Sequence, residues 1–350
     1  MEIDAVDKLV FHVIEMVAED ECDLDKVVEF VISFSRENLL SSDTLLKLSS
    51  IFGKDQMYRE KYVISRASAL LFSGKTREDA HMEAGKTASL LGLRDLAARE
   101  FKEILKDSPE NVKALCGYGV VLADAGELDN ARVQYEKALE INPFHVETLC
   151  KHGCLLYRLG LPDEAEEAYK RALLLDPENV EAHCGYGILL YRRGQKTEAG
   201  YHYSRALEID PKHVESNFRY ARLLEEKGEP LEAETYYIVA LKADPESPKL
   251  HLYYARLLAE HGLIHGARVH FRYALKISPE NVEAHCEYAK LLARFGHRHE
   301  AEVQYKKALE LDPGHFGSLS GYGDLLKEKG QHAEAEKIYR QAECFRQDAW

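Results

Sequence analysis

The sequence predicts an all-α chain in which a helical N-terminal region leads into a solenoid of stacked helical hairpins. Three observations predict it. From Glu78 onward the 350-residue chain repeats every 34 residues, in eight registers beginning at Glu78, Val112, Val146, Val180, Val214, Pro248, Val282 and Phe316. Apolar residues within each register follow the period of helices rather than the alternation of strands. Glycine closes the first half of every register, and proline closes the second half in seven of them, which cuts each unit into two helices.

Residues 1–76 lie outside the repeat. Their apolar periodicity predicts helices near 4–18, 23–38, 42–52 and 57–73, with "SRENLLSSD" and "FGKDQ" as breaks. The first thirty residues carry ten acidic side chains against Lys8 and Lys26. This region is expected to cap the array formed by residues 77–350. A separate adaptor module, or an acidic arm lying in a basic groove, are the alternatives.

In each unit the first helix buries positions 4, 7, 8 and 11, an i, i+3, i+4, i+7 stripe. Position 8 is small throughout: Gly85, Gly119, Gly153, Gly187, Ala221, Ala255, Ala289 and Gly323. Position 15 is glycine in all eight, Gly92 to Gly330, as a left-handed helix C-cap requires. The second helix buries positions 20, 24 and 27. All eight units have alanine at 20 (Ala97 to Ala335) and Phe or Tyr at 24 (Phe101, Tyr135, Tyr169, Tyr203, Tyr237, Phe271, Tyr305, Tyr339). Proline at 32 then biases the preceding residue out of the helical region. Small residues at 8 and 20 let the helices approach, and the aromatic at 24 fills the space beside them. Such a hairpin cannot bury its apolar face alone and must stack on its neighbours.

This pattern resembles the tetratricopeptide repeat, with Ile104 in the first unit departing from the alanine usual at position 27. The resemblance implies a right-handed superhelix whose first helices line a concave groove for a peptide or partner segment. Two specialised members can be compared by residue. The clamp for chaperone C-terminal carboxylates uses Lys at 5 and Asn at 9, neither of which occurs here. The asparagine ladder of the N-acetylglucosamine transferase's repeats occupies position 6, where this chain has Gly117, Lys151, Gly185, Arg219, Tyr253, Glu287 and Gly321.

A net charge of −14 argues against general nucleic-acid binding, which needs Lys and Arg to displace counterions, and against an anionic membrane surface. No run approaches the roughly 18 apolar residues of a membrane span, and "MEIDAVDKLV" lacks the features of a signal peptide. Seven cysteines without paired spacing point to a reducing compartment, the cytoplasm. "AGKTAS" and "SGKT" lack the upstream glycine of a phosphate-binding loop, since Ala80 and Ala69 stand there. His261, His265, His270, His297 and His299 fall mostly near helix ends and turns, where solvated imidazoles are expected, and their spacing does not force metal coordination. No nucleophile–base pair or carboxylate dyad is legible, so neither an enzyme, a cofactor nor a metal is expected.

By the geometry of the resemblance, positions 2, 5, 6, 9, 12 and 13 face the groove. Cys116, Val120, Cys150, Cys154, Tyr157, Cys184, Ile188 and Tyr191 make its first part apolar, with the position-5 cysteines expected at semi-exposed sites. Gly117 and Gly185 at position 6 leave bare backbone, either as room for a ligand or as a tolerated loss of about 1 kcal/mol each. Arg219, Arg222, Arg256 and Lys290 then make the groove basic, joined by Arg158, Arg192 and Arg294 and interrupted by Glu225, Glu226 and Glu260. These features predict a protein-interaction scaffold that docks a peptide, its anionic contacts near Arg222 to Lys290. The alternatives are a self-assembling structural protein or an enzyme acting through its N-terminal region. Tyr339, Phe345 and Trp350 on the last face are expected to support weak self-association.

Overall fold

A computed structural model describes residues 2–18, 22–54 and 57–347. The described residues form twenty α-helices and no strand. The chain divides into two compact units, Met1–Leu189 and Leu190–Trp350.

In the first unit the N-terminal helices are α1 (Glu2–Val17), α2 (Leu24–Glu37), α3 (Ser42–Lys54) and α4 (Tyr58–Leu71), close to the expected spans. Hairpins follow as α5 (Gly74–Leu90) with α6 (Arg94–Asp107), α7 (Val112–Asp124) with α8 (Leu128–Ile141), and α9 (Val146–Arg158) with α10 (Pro162–Leu175). Helix α11 (Val180–Arg192) spans the division between the units. The second unit continues with α12 (Lys196–Ile209), α13 (Val214–Lys227), α14 (Pro230–Ala243), α15 (Pro248–Glu260) and α16 (Ile264–Ile277). Its remaining helices are α17 (Val282–Arg294), α18 (Arg298–Leu311), α19 (Phe316–Glu328) and α20 (His332–Gln347).

The repeat punctuation acts as its chemistry requires. Every position-15 glycine has positive φ, from 72° at Gly92 to 86° at Gly126, a conformation in which a Cβ would be strained. Except at α15, where Ser247 makes no such bond and Pro248 follows, the next first helix is opened by a side chain that accepts from its N3 amide: Asn111 Oδ1 from Ala114 N at 2.9 Å, Asn281 Oδ1 from Ala284 N at 2.9 Å. Histidine does the same work elsewhere, His145 Nδ1 accepting from Thr148 N at 3.3 Å and His315 Nδ1 from Ser318 N at 3.2 Å.

Packing follows the predicted stripes. All eight position-20 alanines are buried, as are the position-24 rings from Phe101 to Tyr305. Each such ring contributes roughly 1.5–3 kcal/mol of burial. Helices α1–α4 share a core with the first hairpins, in which Leu9, Val31, Phe52 and Ile64 join Ala84, Phe101 and Ile104. Where α4, α5 and α6 meet, this core encloses charge. The fully buried Glu100 accepts from Arg66 Nη1 and from His81 Nδ1, each at 2.8 Å. Tyr62 donates to the same carboxylate at 3.4 Å, and burial, then the charge of Glu100, pushes its phenol well above the usual range.

Candidate protein-binding surface

The first helices carry the side chains singled out in the sequence, and the structure separates these into three environments.

Position 5 is buried. Cys116, Cys150, Cys184 and Cys286 are at most 4% exposed, so the expectation of semi-exposed groove cysteines is corrected. The reason is the next unit: Cys150 Sγ lies 3.5 Å from Oδ1 of Asn179, just before α11, and Cys286 Sγ lies against Gly317 at the start of α19. Burial pushes the Cys116 thiol up to about 11 and the Cys150 thiol up to about 12, which keeps both neutral and poor nucleophiles. All seven cysteines are free, and Cys154 is exposed. Val120, Tyr157, Ile188 and Tyr191 are half-buried.

Position 6 glycine answers to packing rather than to a ligand. A Cβ on Gly117 would come within 2.5 Å of the Phe101 ring, and one on Gly185 within 2.6 Å of the Tyr169 ring. The position-24 ring of one unit therefore seats on the position-6 backbone of the next. The reading of Gly117 and Gly185 as space for a ligand is overturned.

The basic residues form an open face in the second unit. Phe218 and Tyr253 meet edge to face, centroids 5.0 Å apart. Arg222 Cζ stands 4.7 Å and Arg256 Cζ 5.4 Å from the centre of the Tyr253 ring, while Lys249 Nζ stands 4.0 Å from that of Phe218. Some of these cations have carboxylate neighbours on their own helix: Arg219 Nε with Glu215 at 2.6 Å, Arg222 Nε with Glu225 at 3.4 Å, Lys290 Nζ with Glu287 at 2.6 Å. Among the described residues Arg256 has no carboxylate within ion-pair distance. Burial raises the Glu225 carboxyl above its usual range despite the hydroxyl of Tyr237, which donates to it at 2.9 Å. Small cavities open on this face. One of about 160 Å³ is lined by Tyr191, Arg192, Tyr203, Arg219 and Arg222, and one of about 130 Å³ is lined by residues including Arg256, Glu260, Phe271, Glu287, Lys290 and Arg294.

Sequence models of the tetratricopeptide repeat match residues 82–146, 150–214 and 197–257, the same hairpins whose packing has just been described. The chain belongs to the tetratricopeptide repeat family. A further model, the middle TPR-like domain of cilia and flagella-associated protein 70, matches residues 265–349. Solved structures share the tetratricopeptide fold at low identity. The Cut9–Hcn1 hetero-tetramer of the APC/C superposes with a TM-score of 0.68 at 13% identity, over 92% of this chain and 63% of that one. PilF of Pseudomonas aeruginosa gives 0.55 at 22% identity, over 62% of this chain and 97% of that one. A tetratricopeptide repeat protein from Parabacteroides merdae gives 0.50 at 19%, over 71% and 98%. No curated protein sequence matches the chain significantly.

Within this tetratricopeptide array the histidines expected to be solvated divide. His261, His265, His297 and His299 are exposed, but His270 lies inside a hairpin, its Nδ1 2.8 Å from Nδ1 of the buried His251. His251 Nε2 donates to Pro245 O at 3.0 Å, so its Nδ1 accepts and His270 donates. The bond to the proline carbonyl recurs from position 4: His183 Nε2 to Pro177 O at 3.1 Å, Asn217 Nδ2 to Pro211 O at 3.0 Å, and His285 Nε2 to Pro279 O at 3.0 Å. No cluster of metal-ligating side chains occurs among the described residues. None of the described helices is long and apolar enough to cross a membrane. At the last hairpin Tyr339 donates to Asp324 at 2.7 Å and Phe345 lies against Gly314, while Trp350 falls outside the described residues.

Two features escaped the sequence reading. In the sequence Tyr253 stands out only as a position-6 residue that is not asparagine, and the signal that marks it is aromatic character between two position-9 arginines. The position-4 donors were hidden because their acceptor belongs to the preceding unit.

Proposed function

We propose that this tetratricopeptide chain is a protein-interaction scaffold that docks an acidic segment of a partner on the basic face of its second unit. The tetratricopeptide fold is in general a scaffold for protein–protein interaction, and the finer reading rests on one observation: Tyr253 held between Arg222 and Arg256. A flat ring flanked by guanidinium groups offers apolar contact and charge-assisted donors side by side. The competing demand from carboxylates already present is weak. Partly exposed pairs on one helix contribute about 0.3–0.5 kcal/mol each, so an incoming carboxylate can displace them. Residues 1–76 would cap the array, with the working location in the cytoplasm.

The test is selection from a randomised peptide library by the full chain beside the triple variant Arg222→Glu, Arg256→Glu, Lys290→Glu. Acidic peptides should be enriched by the wild type, released as salt rises, and lost by the variant. Enrichment indifferent to the three changes would remove this face from consideration. Light scattering on the same samples tests weak self-association through the last hairpin.

A further inference from the structure

The two cavities of the basic face share one architecture and differ in charge. Each is bounded by position 13 of one unit's first helix, positions 6 and 9 of the next, and the position-24 ring between them. In the cavity walled by Glu260, Glu287, Lys290 and Arg294 above Phe271, two carboxylates stand among the cations. In the cavity above Tyr203 the corresponding positions 13, 6 and 9 are Arg192, Arg219 and Arg222, with no carboxylate in the wall.

The neighbouring acids stand outside the wall and meet its residues from behind, Glu225 at 3.4 Å from Arg222 Nε. Glu226 takes Lys196 Nζ at 2.8 Å and the hydroxyl of Tyr191. Glu215 is shared between Arg219 Nε and Lys249 Nζ, the latter at 3.3 Å. Arg219 and Arg222 meet their glutamates through Nε, and among the described residues their terminal guanidinium nitrogens make no hydrogen bond. Arg192 is exposed and has no carboxylate within ion-pair distance among the described residues.

Resting on the reading of this face as the docking surface, we infer that the Arg192–Arg219–Arg222 cavity takes a phosphorylated serine or threonine of the partner segment. The chemistry of the anion decides between phosphate and carboxylate. A carboxylate presents two oxygens and one charge and is satisfied by a single bidentate guanidinium. A phosphoryl group presents three acceptor oxygens and a charge of about −1.5 to −2, which matches three guanidinium groups around a space of about 160 Å³. Unphosphorylated acidic side chains would then contact Arg256 and Lys290, where Glu260 and Glu287 already temper the charge.

The test uses the full chain and three degenerate peptide libraries that differ at one fixed central residue: phosphoserine, serine or glutamate. The phosphoserine library should be retained on the order of tenfold better than the other two. That preference should vanish in Arg192→Gln/Arg219→Gln and fall partway in Arg192→Lys/Arg219→Lys, which keeps the charge and loses the planar fork. Circular dichroism of each variant checks that the solenoid is intact. Equal retention of the phosphoserine and glutamate libraries, or a preference that survives the glutamine variant, overturns the inference. Acidic peptides still lost by Arg256→Glu/Lys290→Glu, with no phosphoserine preference, would overturn it while leaving the docking face standing. Failure of all three libraries would overturn both.

Discussion

A glycine in mid-helix ordinarily costs about 1 kcal/mol relative to alanine, so Gly185→Ala would stabilise α11 if the position served only as empty space. The Tyr169 ring, 2.6 Å from where that Cβ would stand, reverses the expectation. Overpacking typically costs about 1–3 kcal/mol, so Gly185→Ala should lower the urea midpoint, and a midpoint that rises would return the glycine to the role of a vacancy. His270 gives the residue scale a pH dependence. Burial, then the proximity of His251, lowers its imidazole from 6.5 to about 4, and His251, Tyr254 and Tyr273 are the titratable rings around the pair. The unfolded chain therefore takes up the proton first, and stability falls as the pH drops from about 6.5 to about 4. His270→Phe should shrink the difference in Tm between pH 7 and pH 5, and an unchanged difference would show that other groups carry it.

Helices and their ends were legible in the sequence because their determinants are local. A positive-φ glycine, a proline and a 3.6-residue stripe each act within one or two turns, and α2 and α3 begin and end within two residues of the spans their periodicity predicts. Contacts made between units were not legible. The cysteines at position 5 and the glycines at position 6 meet partners 16 to 31 residues away: Gly117 against Phe101, Gly185 against Tyr169, Cys286 against Gly317. One sequence read unit by unit does not show whether a residue faces water or the neighbouring helix. The joint between α4, α5 and α6 is the strongest case, since nothing in "SRAS" or "AHME" announced that Arg66 and His81 would converge on Glu100. Removing one member of a buried charged set leaves the others uncompensated, at a cost of about 3–5 kcal/mol. Glu100→Leu should destabilise the first unit by that order, and combining it with Arg66→Met should recover part of the loss. Both follow from chemical denaturation, and a double variant no better than the single one would mean that the ion pair is not the source.

At the scale of the whole molecule, stability in a stacked array is a sum of hairpins and the seams between neighbours. Met1–Leu189 and Leu190–Trp350 each contain a buried cluster of their own, and injury to one should leave the other largely protected. Phe271, 1% exposed within the second unit's core, is the place to test this. Phe271→Ala should cost about 3–5 kcal/mol and lower amide-exchange protection in α13–α20 while α4–α8 keep theirs. A uniform loss along the chain would instead make the array a single cooperative block.

The seat of one unit's ring on the next unit's bare backbone also governs how such an array can be rearranged. Although all eight repeats share a consensus, they are not interchangeable bricks. Phe101, Tyr169 and Tyr305 are each followed by a glycine receiver, whereas Tyr135, Tyr203, Tyr237 and Phe271 are followed by Lys151, Arg219, Tyr253 and Glu287. A recombination that set the helix of Lys151 behind Phe101 would keep the 34-residue phase and every consensus position, yet drive a side chain into the ring that Gly117 now admits. The order of the repeats is thus written partly at their junctions, and shuffled or circularly permuted versions of this chain should tolerate cuts only where donor ring and receiving residue travel together.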